Sequence, residues 1–440
     1  MESVNTKVLP GFMELLPEMQ IEFERIKTVI EDSYKSFGFS PIDTPVIERS
    51  ESLLAKAGGE TEKQIYRFNK GDNDLSLRFD LTVPLARYVA DHFNDLSFPF
   101  RRYHIGKVYR GESPQKGRFR EFYQADIDVI GRDSLSLLYD GEIPVVIYTI
   151  FSKLNFGAFK IRINNRKLLN GLLSSLNLED KGAELLRIID KKEKVSETEF
   201  ALMLANEGIN AAQAKAVSEF IAITGNCEAV LLQLKKKAEF IKNDLFSLGV
   251  TELETVVTFI KAQGIGEESF AIDLSIARGL DYYTGTVYET SLTEYPKIGS
   301  VCSGGRYDNL ASYYTKEKLP GVGISIGLTR LFWQLTEAGI IKPSKTTQAE
   351  AVVVPLSEGN VKFALKIANE LRCAGIATDI LLESGNVKKK FKYVSNKNAP
   401  YTVVIGDDEE KENAVNLQIM QGGVVTKEKI SADLLVTKLK

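Results

Sequence analysis

The stretch from residue 109 to residue 128 combines cationic, aromatic and acidic side chains around a turn, and reads YRGESPQKGRFREFYQADID. Arginine presents a planar fork of donors that matches phosphate oxygens, and it keeps its charge at any physiological pH. Phe122 and Tyr123 offer ring faces on which a planar base can stack. Residues 114–117 allow a chain reversal between two extended runs. The pattern is typical of a strand–loop–strand that holds a polyphosphate beside a base.

Two further segments carry residues of related chemistry. Residues 277–289 read ARGLDYYTGTVYE, and residues 303–331 contain SGGRYDNL and then GVGISIGLTRL. Each segment has a structural alternative, because an arginine-rich hairpin can be a solvated surface and RGLDYY can hold a buried arginine–aspartate pair. Short motifs also match by chance, so one alone is weak support for a function. The three together, in this order, are far more specific.

With these segments the chain resembles the histidyl-tRNA synthetases, a family of class II aminoacyl-tRNA synthetases, over nearly its whole length. LPGFMELLP resembles the start of the family, and GFSPIDTPVIE, with Pro45, resembles its motif 1. The segment around Arg110 resembles motif 2, and GLTRL, with Arg330, resembles motif 3. ARGLDYYTG resembles the histidine-specific motif that other class II enzymes lack.

The resemblance implies an ATP-dependent ligation of L-histidine to tRNA(His) in two steps. The histidine carboxylate attacks the α-phosphorus of ATP and expels pyrophosphate, and a terminal ribose hydroxyl of the tRNA then attacks the histidyl-adenylate. Attack of one anion on another needs local positive charge more than an acid–base group. Arg110 and Arg278 match the family's catalytic arginines, on opposite sides of the α-phosphate. The structural alternative for Arg278 is a buried pair with Asp281.

Other residues match the family's ATP and tRNA contacts. Phe122 is expected to stack on adenine, with Arg330 on the other face or near the γ-phosphate. Glu112 is expected to accept from the adenine amino group, and core packing is the alternative for Phe122. Gln115 and Arg120, in a loop of bacterial type, match contacts to the acceptor end of tRNA. Mg2+ is expected with ATP, but no carboxylate cluster marks its protein ligands.

Histidine needs acceptors for its ammonium group and polar partners for its ring. The positions that match the family's histidine-binding residues are Asp80, Leu81, Thr82, Gln124, Asp128, Tyr282 and Tyr283. Asp80, Thr82 and Gln124 match the ammonium acceptors, and Asp128 and Tyr283 match the ring partners. A pocket built to hydrogen-bond a polar ring rejects apolar analogues, because its own buried groups would stay unpaired. Capping or surface placement is the alternative for Asp80 and Asp128.

Many bacterial members of the family carry glutamate at the positions of Asp80 and Asp128. Here the surrounding sequence RFDLTVP resembles the eukaryotic-type subgroup instead. Aspartate is one methylene shorter than glutamate, so the resemblance leaves the details of the ring contact open.

Composition and charge exclude several classes of protein. At 440 residues, with 44% hydrophobic and 26% charged residues, the chain is predicted to be globular with two or three domains. A net charge of −3 speaks against a nonspecific nucleic-acid binder. Lysine runs at 235–237 and 388–392 are candidate tRNA contacts, and solvated helix faces are the alternative.

The cysteines and histidines indicate neither a disulfide framework nor a zinc site. The chain has 3 cysteines, which lie far apart, and 2 histidines. This usage fits a reducing, cytoplasmic setting. The first residues do not resemble a secretory signal, and the apolar run at 143–151 is too short to span a bilayer. No membrane association is expected.

Hydrophobic periodicity predicts an α+β core with an antiparallel sheet, which the resemblance identifies with the class II catalytic core. Helices are predicted at 18–37 and 141–154, and the two arms of a hairpin at 101–110 and 120–130. Further strands are predicted at 42–46, 75–79, 159–163, 271–274, 286–290 and 321–324. Gly38 is predicted to end the first helix.

The chain is predicted to divide into three domains. Residues 1–165 and 267–340 form the catalytic core, and residues 166–266, which are helical in period and free of proline, form a helical insertion domain. Residues 349–440 alternate strand and helix, which predicts an α/β domain that resembles the family's anticodon-binding domain. Its elements are predicted at 351–355, 360–374, 377–381, 386–397 and 401–405. The resemblance to motif 1 implies a homodimer.

Two rival functions share this fold. A regulatory subunit of ATP phosphoribosyltransferase resembles the catalytic core but would normally lack the C-terminal domain. A noncatalytic tRNA-sensing protein would resemble a synthetase without charging tRNA. Arg110, Arg278 and Arg330 are all present here, as is the C-terminal region. Histidine-dependent exchange between ATP and pyrophosphate would separate the enzyme from both rivals.

Overall fold

The computed structural model describes residues 4–55, 60–113, 117–189, 191–192, 195–276, 283–343, 345–421 and 424–440. The chain forms two compact units, which are Met1–Met13 with Ile26–Ile340 and Glu14–Arg25 with Ile341–Lys440. The first unit contains an eight-stranded sheet and a small three-stranded one, and the second unit contains a five-stranded sheet.

The elements follow one another along the chain with these bounds. The strands are β1 (Ser40–Pro41), β2 (Ile47–Arg49), β3 (Arg67–Lys70), β4 (Asn73–Leu77), β5 (Phe100–Tyr109), β6 (Glu121–Ile130), β7 (Phe159–Asn165), β8 (Phe270–Ile272), β9 (Thr286–Leu292), β10 (Ser300–Tyr307), β11 (Gly321–Ile326), β12 (Ala351–Pro355), β13 (Thr378–Ile380), β14 (Tyr401–Ile405), β15 (Ala414–Gln421) and β16 (Val424–Ser431). The helices are α1 (Pro17–Ser36), α2 (Ser50–Leu54), α3 (Glu60–Gln64), α4 (Thr82–Asp91), α5 (Leu138–Leu154), α6 (Arg166–Ser175), α7 (Gly182–Ile189), α8 (Glu197–Asn206), α9 (Ala211–Ile221), α10 (Cys227–Ile241), α11 (Asp244–Ala262), α12 (Leu328–Glu337), α13 (Val361–Cys373), α14 (Val387–Lys397), α15 (Asp407–Lys411) and α16 (Ala432–Leu439).

The larger sheet has the strand order β1-β5-β6-β11-β10-β9-β7-β8. Its neighbouring strands run antiparallel, except for the outer pairs β1–β5 and β7–β8, which run parallel. The predicted α+β fold with an antiparallel core sheet is therefore confirmed. β6 lies inside this sheet, between β5 and β11.

The predicted hairpin is formed by β5 and β6, and its register decides which side chains meet. Arg102 lies directly opposite Asp128, and Asp128 lies opposite Gly323 on β11. Directly opposite residues of antiparallel strands share a face of the sheet. A β-carbon on Gly323 would lie 2.3 Å from Oδ1 of Asp128, so only glycine leaves room for this carboxylate.

The first predicted helix is confirmed as α1. Ile26, Ile30 and Tyr34 are fully buried and recur at helical spacing on one face. The chain then turns at Gly38, whose φ of 75° is a left-handed conformation that glycine adopts without steric cost.

One predicted strand, residues 42–46, is wrong. These residues form a connection between β1 and β2 with no strand of their own. Pro41 and Pro45 cannot donate to a strand ladder. The Asp43 carboxylate instead lies 3.2 Å from Nη1 of Arg78 and 2.9 Å from Nε2 of His104.

The sequence pattern does not predict β10, although this strand lies inside the sheet. Gly304 and Gly305 interrupt it, and glycine is disfavoured in strands on intrinsic grounds. A β-carbon on Gly304 would lie 2.1 Å from the Gly323 carbonyl oxygen, and one on Gly305 would lie 2.7 Å from the Thr286 carbonyl oxygen. These glycines therefore serve the close approach of neighbouring backbones.

Helices α6 to α11 lie between β7 and β8, which are parallel neighbours in the sheet. The helical character predicted for this region is confirmed, and the predicted domain limits stay a prediction. A β-carbon on Gly171 of α6 would lie 2.6 Å from the backbone nitrogen of Phe246 in α11, so glycine permits this close helix contact. No helix in the described part of the chain is both long and apolar enough to cross a membrane.

The second unit contains a mixed sheet with the order β13-β12-β14-β15-β16. β13, β12 and β14 run parallel, and β14, β15 and β16 run antiparallel. The predicted strands at 351–355 and 401–405 are confirmed, as are helices matching α13 and α14. The sequence pattern does not predict β15, β16 or α16.

A buried ion pair joins the larger sheet to α5. Nη2 of Arg306 on β10 lies 2.6 Å from Oδ2 of Asp140, which is fully buried. Arg306 also donates to the carbonyl oxygens of Leu135 and Ser136. Burial raises the pKa of Asp140, and the guanidinium opposes that rise.

We expect Arg306→Leu to lower the free energy of unfolding of the first unit by about 3–5 kcal/mol, because it leaves the Asp140 carboxylate buried without its counter-charge. Urea unfolding followed by tryptophan fluorescence reports on this unit, since Trp333 in α12 is the only tryptophan. The control is Lys235→Ala, which removes an exposed pair with Glu254 and should cost less than about 1 kcal/mol. Equal losses in the two variants would contradict the expectation.

Candidate active site

A cavity of about 460 Å3 lies over one face of the larger sheet. Alternate residues of β6 line it, because successive side chains of a strand point to opposite faces. These residues are Phe122, Gln124, Asp126 and Asp128. Residues of β10, β11 and α12 line it as well.

Both oxygens of the Asp128 carboxylate are held. Oδ2 lies 2.5 Å from Nη2 of Arg102, which is fully buried, and Oδ1 accepts a hydrogen bond of 2.8 Å from the Tyr307 hydroxyl. None of the guanidinium nitrogens of Arg102 makes a well-angled hydrogen bond to a described residue, so charge attraction holds this pair. Burial raises the pKa of Asp128 to about 6, while Arg102 and Tyr307 limit the rise.

Asp126 is a second buried carboxyl group on the same face. It lies opposite Ser325 on β11, whose hydroxyl accepts a hydrogen bond of 2.7 Å from Nε2 of Gln124. Oδ1 of Asp126 and Oε1 of Gln124 are buried, and neither has a hydrogen-bond partner among the described residues. Burial raises the pKa of Asp126 to about 7, although the charge of Arg102 and the Ser325 hydroxyl act against the rise.

The start of α4 supplies a third carboxyl group. Asp80 is buried, and its Oδ1 accepts a hydrogen bond of 3.0 Å from the backbone nitrogen of Val83 in the first helical turn. Burial raises the pKa of Asp80, against hydrogen bonds from the first turn and the charge of Arg110. Thr82 lines the cavity beside it.

Arg110 lies over the Phe122 ring. Its guanidinium carbon is 5.2 Å from the ring centroid, and its Nε donates to the Phe79 carbonyl oxygen at 3.0 Å. This anchor uses one of five guanidinium donors, and the side chain lines the cavity. Phe122 thus serves as a platform beside a fixed cation.

Two more arginines, Arg118 and Arg330, line the cavity. Nη1 of Arg118 lies 3.5 Å from the Glu112 carboxylate, and Nη2 of Arg330 on α12 lies 3.5 Å from the Ile298 carbonyl oxygen. The cavity is polarised along β6, with the Arg110 guanidinium at Phe122 and buried carboxyl groups at Asp126 and Asp128. Such a site suits a ligand with phosphates at one end and a cationic, donor-rich group at the other.

The structure brings most of the predicted site residues to this cavity. Those that line it are Asp80, Thr82, Arg110, Glu112, Phe122, Gln124, Asp128, Tyr283 and Arg330. Leu81 is fully buried and does not line it. Arg120 donates to the carbonyl oxygens of Glu112 and Pro10, away from the cavity wall. Arg278, Tyr282 and Gln115 lie outside the residues that the structure describes.

Sequence reasoning missed Asp126, Arg102 and Tyr307. A signal for Asp126 existed, since it lies two residues from both Gln124 and Asp128 and a strand repeats its faces every two residues. Arg102 required the register of the hairpin, which the residue pattern does not supply. Tyr307 belongs to β10, the strand that the sequence pattern did not predict because of its glycines.

In the described part of the chain, no group of three or more histidine, cysteine, aspartate or glutamate side chains could hold a metal ion. The contacts of two carboxyl groups in the cavity agree with this finding. Asp128 is engaged by Arg102 and Tyr307, and Asp80 is engaged by the start of α4.

Two family models match the chain. A model described as histidyl-tRNA synthetase matches residues 11–331, and one described as anticodon binding domain matches residues 350–440. Together they cover both compact units.

Curated relatives and solved structures match over nearly the whole chain. A histidine–tRNA ligase of Clostridium tetani is 55% identical over 421 residues, which are 96% of this chain and 95% of that protein. One from Xanthomonas campestris is 48% identical over 430 residues, 92% of this chain and 90% of that protein. A crystal structure of histidyl-tRNA synthetase from Nostoc sp. PCC 7120 is 42% identical, covers 99% of both chains and has a TM-score of 0.91.

A more distant structure shares the fold. It is described as an ATP phosphoribosyltransferase regulatory subunit/histidyl-tRNA synthetase from Bacillus halodurans, is 21% identical, covers 92% of this chain and 99% of that one, and has a TM-score of 0.75. At that identity the likeness concerns the fold alone. The family models and the curated relatives decide the matter, and the chain belongs to the histidyl-tRNA synthetase family.

Proposed function

We propose that this chain ligates L-histidine to tRNA(His) in an ATP-dependent reaction that passes through histidyl-adenylate. The observation that carries the proposal is the polarised cavity of a family member, with Arg110 beside Phe122 at one end and Asp128 held by Arg102 at the other. ATP fits the cationic end, and an amino acid with a polar ring fits the carboxyl end.

In the first step, the histidine carboxylate attacks the α-phosphorus and pyrophosphate leaves. Two anions approach each other, so the chain must supply positive charge where negative charge develops. Arg110 provides it from one side, anchored through its Nε to Phe79. Arg278 is proposed on the opposite side by its match to the family motif. Phe122 stacks on adenine, Arg330 lies by the base or the γ-phosphate, and Glu112 accepts from the adenine amino group.

Histidine is held at both of its polar ends. Asp80, Thr82 and Gln124 accept from the ammonium group, and Leu81 lies between the first two in sequence. Asp128 and Tyr283, with Tyr282 beside them in sequence, pair with the ring nitrogens. Arg102 and Tyr307 fix the orientation of the Asp128 carboxylate. Its remaining lone pairs therefore point in a defined direction. A ring without a suitable nitrogen leaves the remaining acceptor capacity of this buried carboxylate unused, which disfavours binding of that ring.

In the second step, a ribose hydroxyl at the end of tRNA attacks the adenylate. Gln115 and Arg120 are proposed near the acceptor end, and the second unit, with its anticodon-binding match, is proposed to hold the anticodon. The helices between β7 and β8 are proposed to lean over the tRNA. The chain is also proposed to form a homodimer and to act in the cytoplasm.

Magnesium is proposed to arrive together with ATP. It adds positive charge at the phosphates when bound. The described carboxyl groups of the cavity are engaged by the protein or lie toward the histidine end, so none is assigned as a ligand.

The decisive experiment is ATP–pyrophosphate exchange with each of the twenty amino acids. Exchange that depends on histidine alone supports the synthetase. A protein that binds uncharged tRNA without exchange is a sensor, and one that instead restores ATP phosphoribosyltransferase activity to a separate catalytic subunit is the regulatory subunit. The anticodon-binding match over residues 350–440 favours the synthetase over that subunit.

We expect Arg110→Ala to slow adenylate formation by about 100- to 1000-fold, because it removes one preorganised donor to the phosphate. Arg278→Ala should slow it by a comparable factor. Histidine-dependent exchange measures the rate, and far-UV circular dichroism checks the fold. The control is Arg67→Ala, which breaks an exposed pair with Asp74. Near-normal exchange in either test variant would remove that arginine from the mechanism.

We expect Asp128→Asn to raise the KM for histidine by about 10- to 100-fold, because a hydrogen bond to a charged acceptor is lost. The KM for ATP should change less than about two-fold, since Asp128 lies at the other end of the cavity from Arg110. Asp128→Ala should show the same preference. Equal increases in both KM values would count against a ring contact.

A further inference from the structure

Three buried carboxyl groups lie at one end of the cavity, and within the described protein one of them, Asp128, is in direct contact with a cation. Asp80, Asp126 and Asp128 are all buried there, and Arg102 is the buried cation in contact with Asp128. Asp80 accepts from the start of α4. Oδ1 of Asp126 has no partner among the described residues. A ligand that carries positive charge would supply what Asp126 lacks.

The neighbours of Asp126 indicate which ligand group it faces. Ser325 receives the Gln124 amide proton, and its own proton remains for the carboxyl group of Asp126. This leaves Oε1 of Gln124 and Oδ1 of Asp126 as buried acceptors without a partner among the described residues, and both residues line the cavity. A group with several N–H donors and a full charge satisfies both, whereas a neutral ring with one N–H satisfies one.

The order of residues on β6 agrees with this assignment. From the nucleotide end to the ring end the strand presents Phe122, Gln124, Asp126 and Asp128 toward the cavity. In histidine, the carbon that bears the ammonium group lies between the reacting carboxylate and the ring. The two middle positions of the strand therefore face that carbon.

We propose that Asp126 binds the ammonium group of histidine together with Gln124 and so is a further specificity-determining residue. The proposal rests on the proposed function, because it concerns the same substrate. Asp80 and Asp128 repel a charge on Asp126, and burial opposes it, so the carboxylate gains most from a cation at this point. Ligands without the ammonium group leave Asp126 with no such partner.

Asp126→Asn tests the proposal, with histamine and imidazolepropionate as competitive inhibitors of histidine-dependent exchange. Both carry the imidazole ring, and only histamine carries an ammonium group. We expect the substitution to raise the KM for histidine and the inhibition constant of histamine by about 10-fold or more. Imidazolepropionate should bind no worse than to the wild type, and the KM for ATP should stay within about two-fold.

Two matched variants separate the roles on the same strand. Asp128→Asn should weaken both inhibitors, because both carry the ring. Glu121→Gln, which alters a partly buried pair with Lys107 outside the cavity, should change neither. Should Asp126→Asn not fold, Ser325→Ala removes the hydroxyl beside the carboxyl group and should weaken histamine by a smaller factor without weakening imidazolepropionate.

Equal weakening of histamine and imidazolepropionate by Asp126→Asn would overturn the proposal, and so would unchanged histamine inhibition. Wild-type protein without histidine-dependent exchange would instead overturn the proposed function. The two failures are therefore distinguishable.

Discussion

The buried guanidinium of Arg102 is the interaction on which one end of the cavity depends. Three carboxyl groups lie near it, and each buried ion carries a desolvation cost of several kcal/mol. Arg102 meets Asp128 because the two residues are directly opposite in the β5–β6 hairpin. A slip of one residue would turn either side chain to the other face of the sheet. The register of one hairpin thus fixes both the charge and the geometry of the site.

The same carboxyl groups make stability depend on pH. Burial raises the pKa of Asp126 to about 7 and that of Asp128 to about 6, from 3.8 for a free aspartate. Between those limits the folded chain holds protons that the unfolded chain has released. Their contribution to stability is fully present below about pH 4 and is lost as the pH rises through about 6 and 7. Burial of these carboxyl groups therefore lowers stability at neutral pH, and a cation bound beside them would recover part of the loss.

Sequence reasoning reached the elements whose signals are local. The stripe of Ile26, Ile30 and Tyr34 predicts α1, and turn chemistry predicts the hairpin. It failed where tertiary contacts override local preference, as in β10. Glycines are disfavoured in strands, but the backbone of Gly323 lies too close to Gly304 to leave room for a β-carbon there. Residues 42–46 show the opposite failure. Their sequence looks extended, but their prolines cannot donate the hydrogen bonds of a strand ladder, so the residues form a connection between β1 and β2.

The same distinction between local signals and tertiary contacts applies to the candidate site. Motif matches identified side chains that line the cavity, such as Arg110, Gln124 and Asp128. They did not identify Arg102 and Tyr307, which hold Asp128 from β5 and β10 and are far from it in sequence. Such supporting residues appear only once the strands are in register.

In the proposed function, the rigidity of β6 explains how one cavity can bind two chemically different groups, a base at one end and a polar ring at the other. Phe122 and Asp128 are six residues apart on a strand that rises about 3.4 Å per residue, so the two ends lie about 20 Å apart along the backbone. Because β6 is hydrogen-bonded on both sides, to β5 and β11, that spacing does not adjust to the ligand. In the proposed binding mode, a base on Phe122 and a ring at Asp128 leave only the middle of the strand for the reacting atoms. The acceptors of Gln124 and Asp126, which have no partner among the described residues, occur at that middle, where the proposed reaction needs a charged group to be held still while the carboxylate beside it reacts.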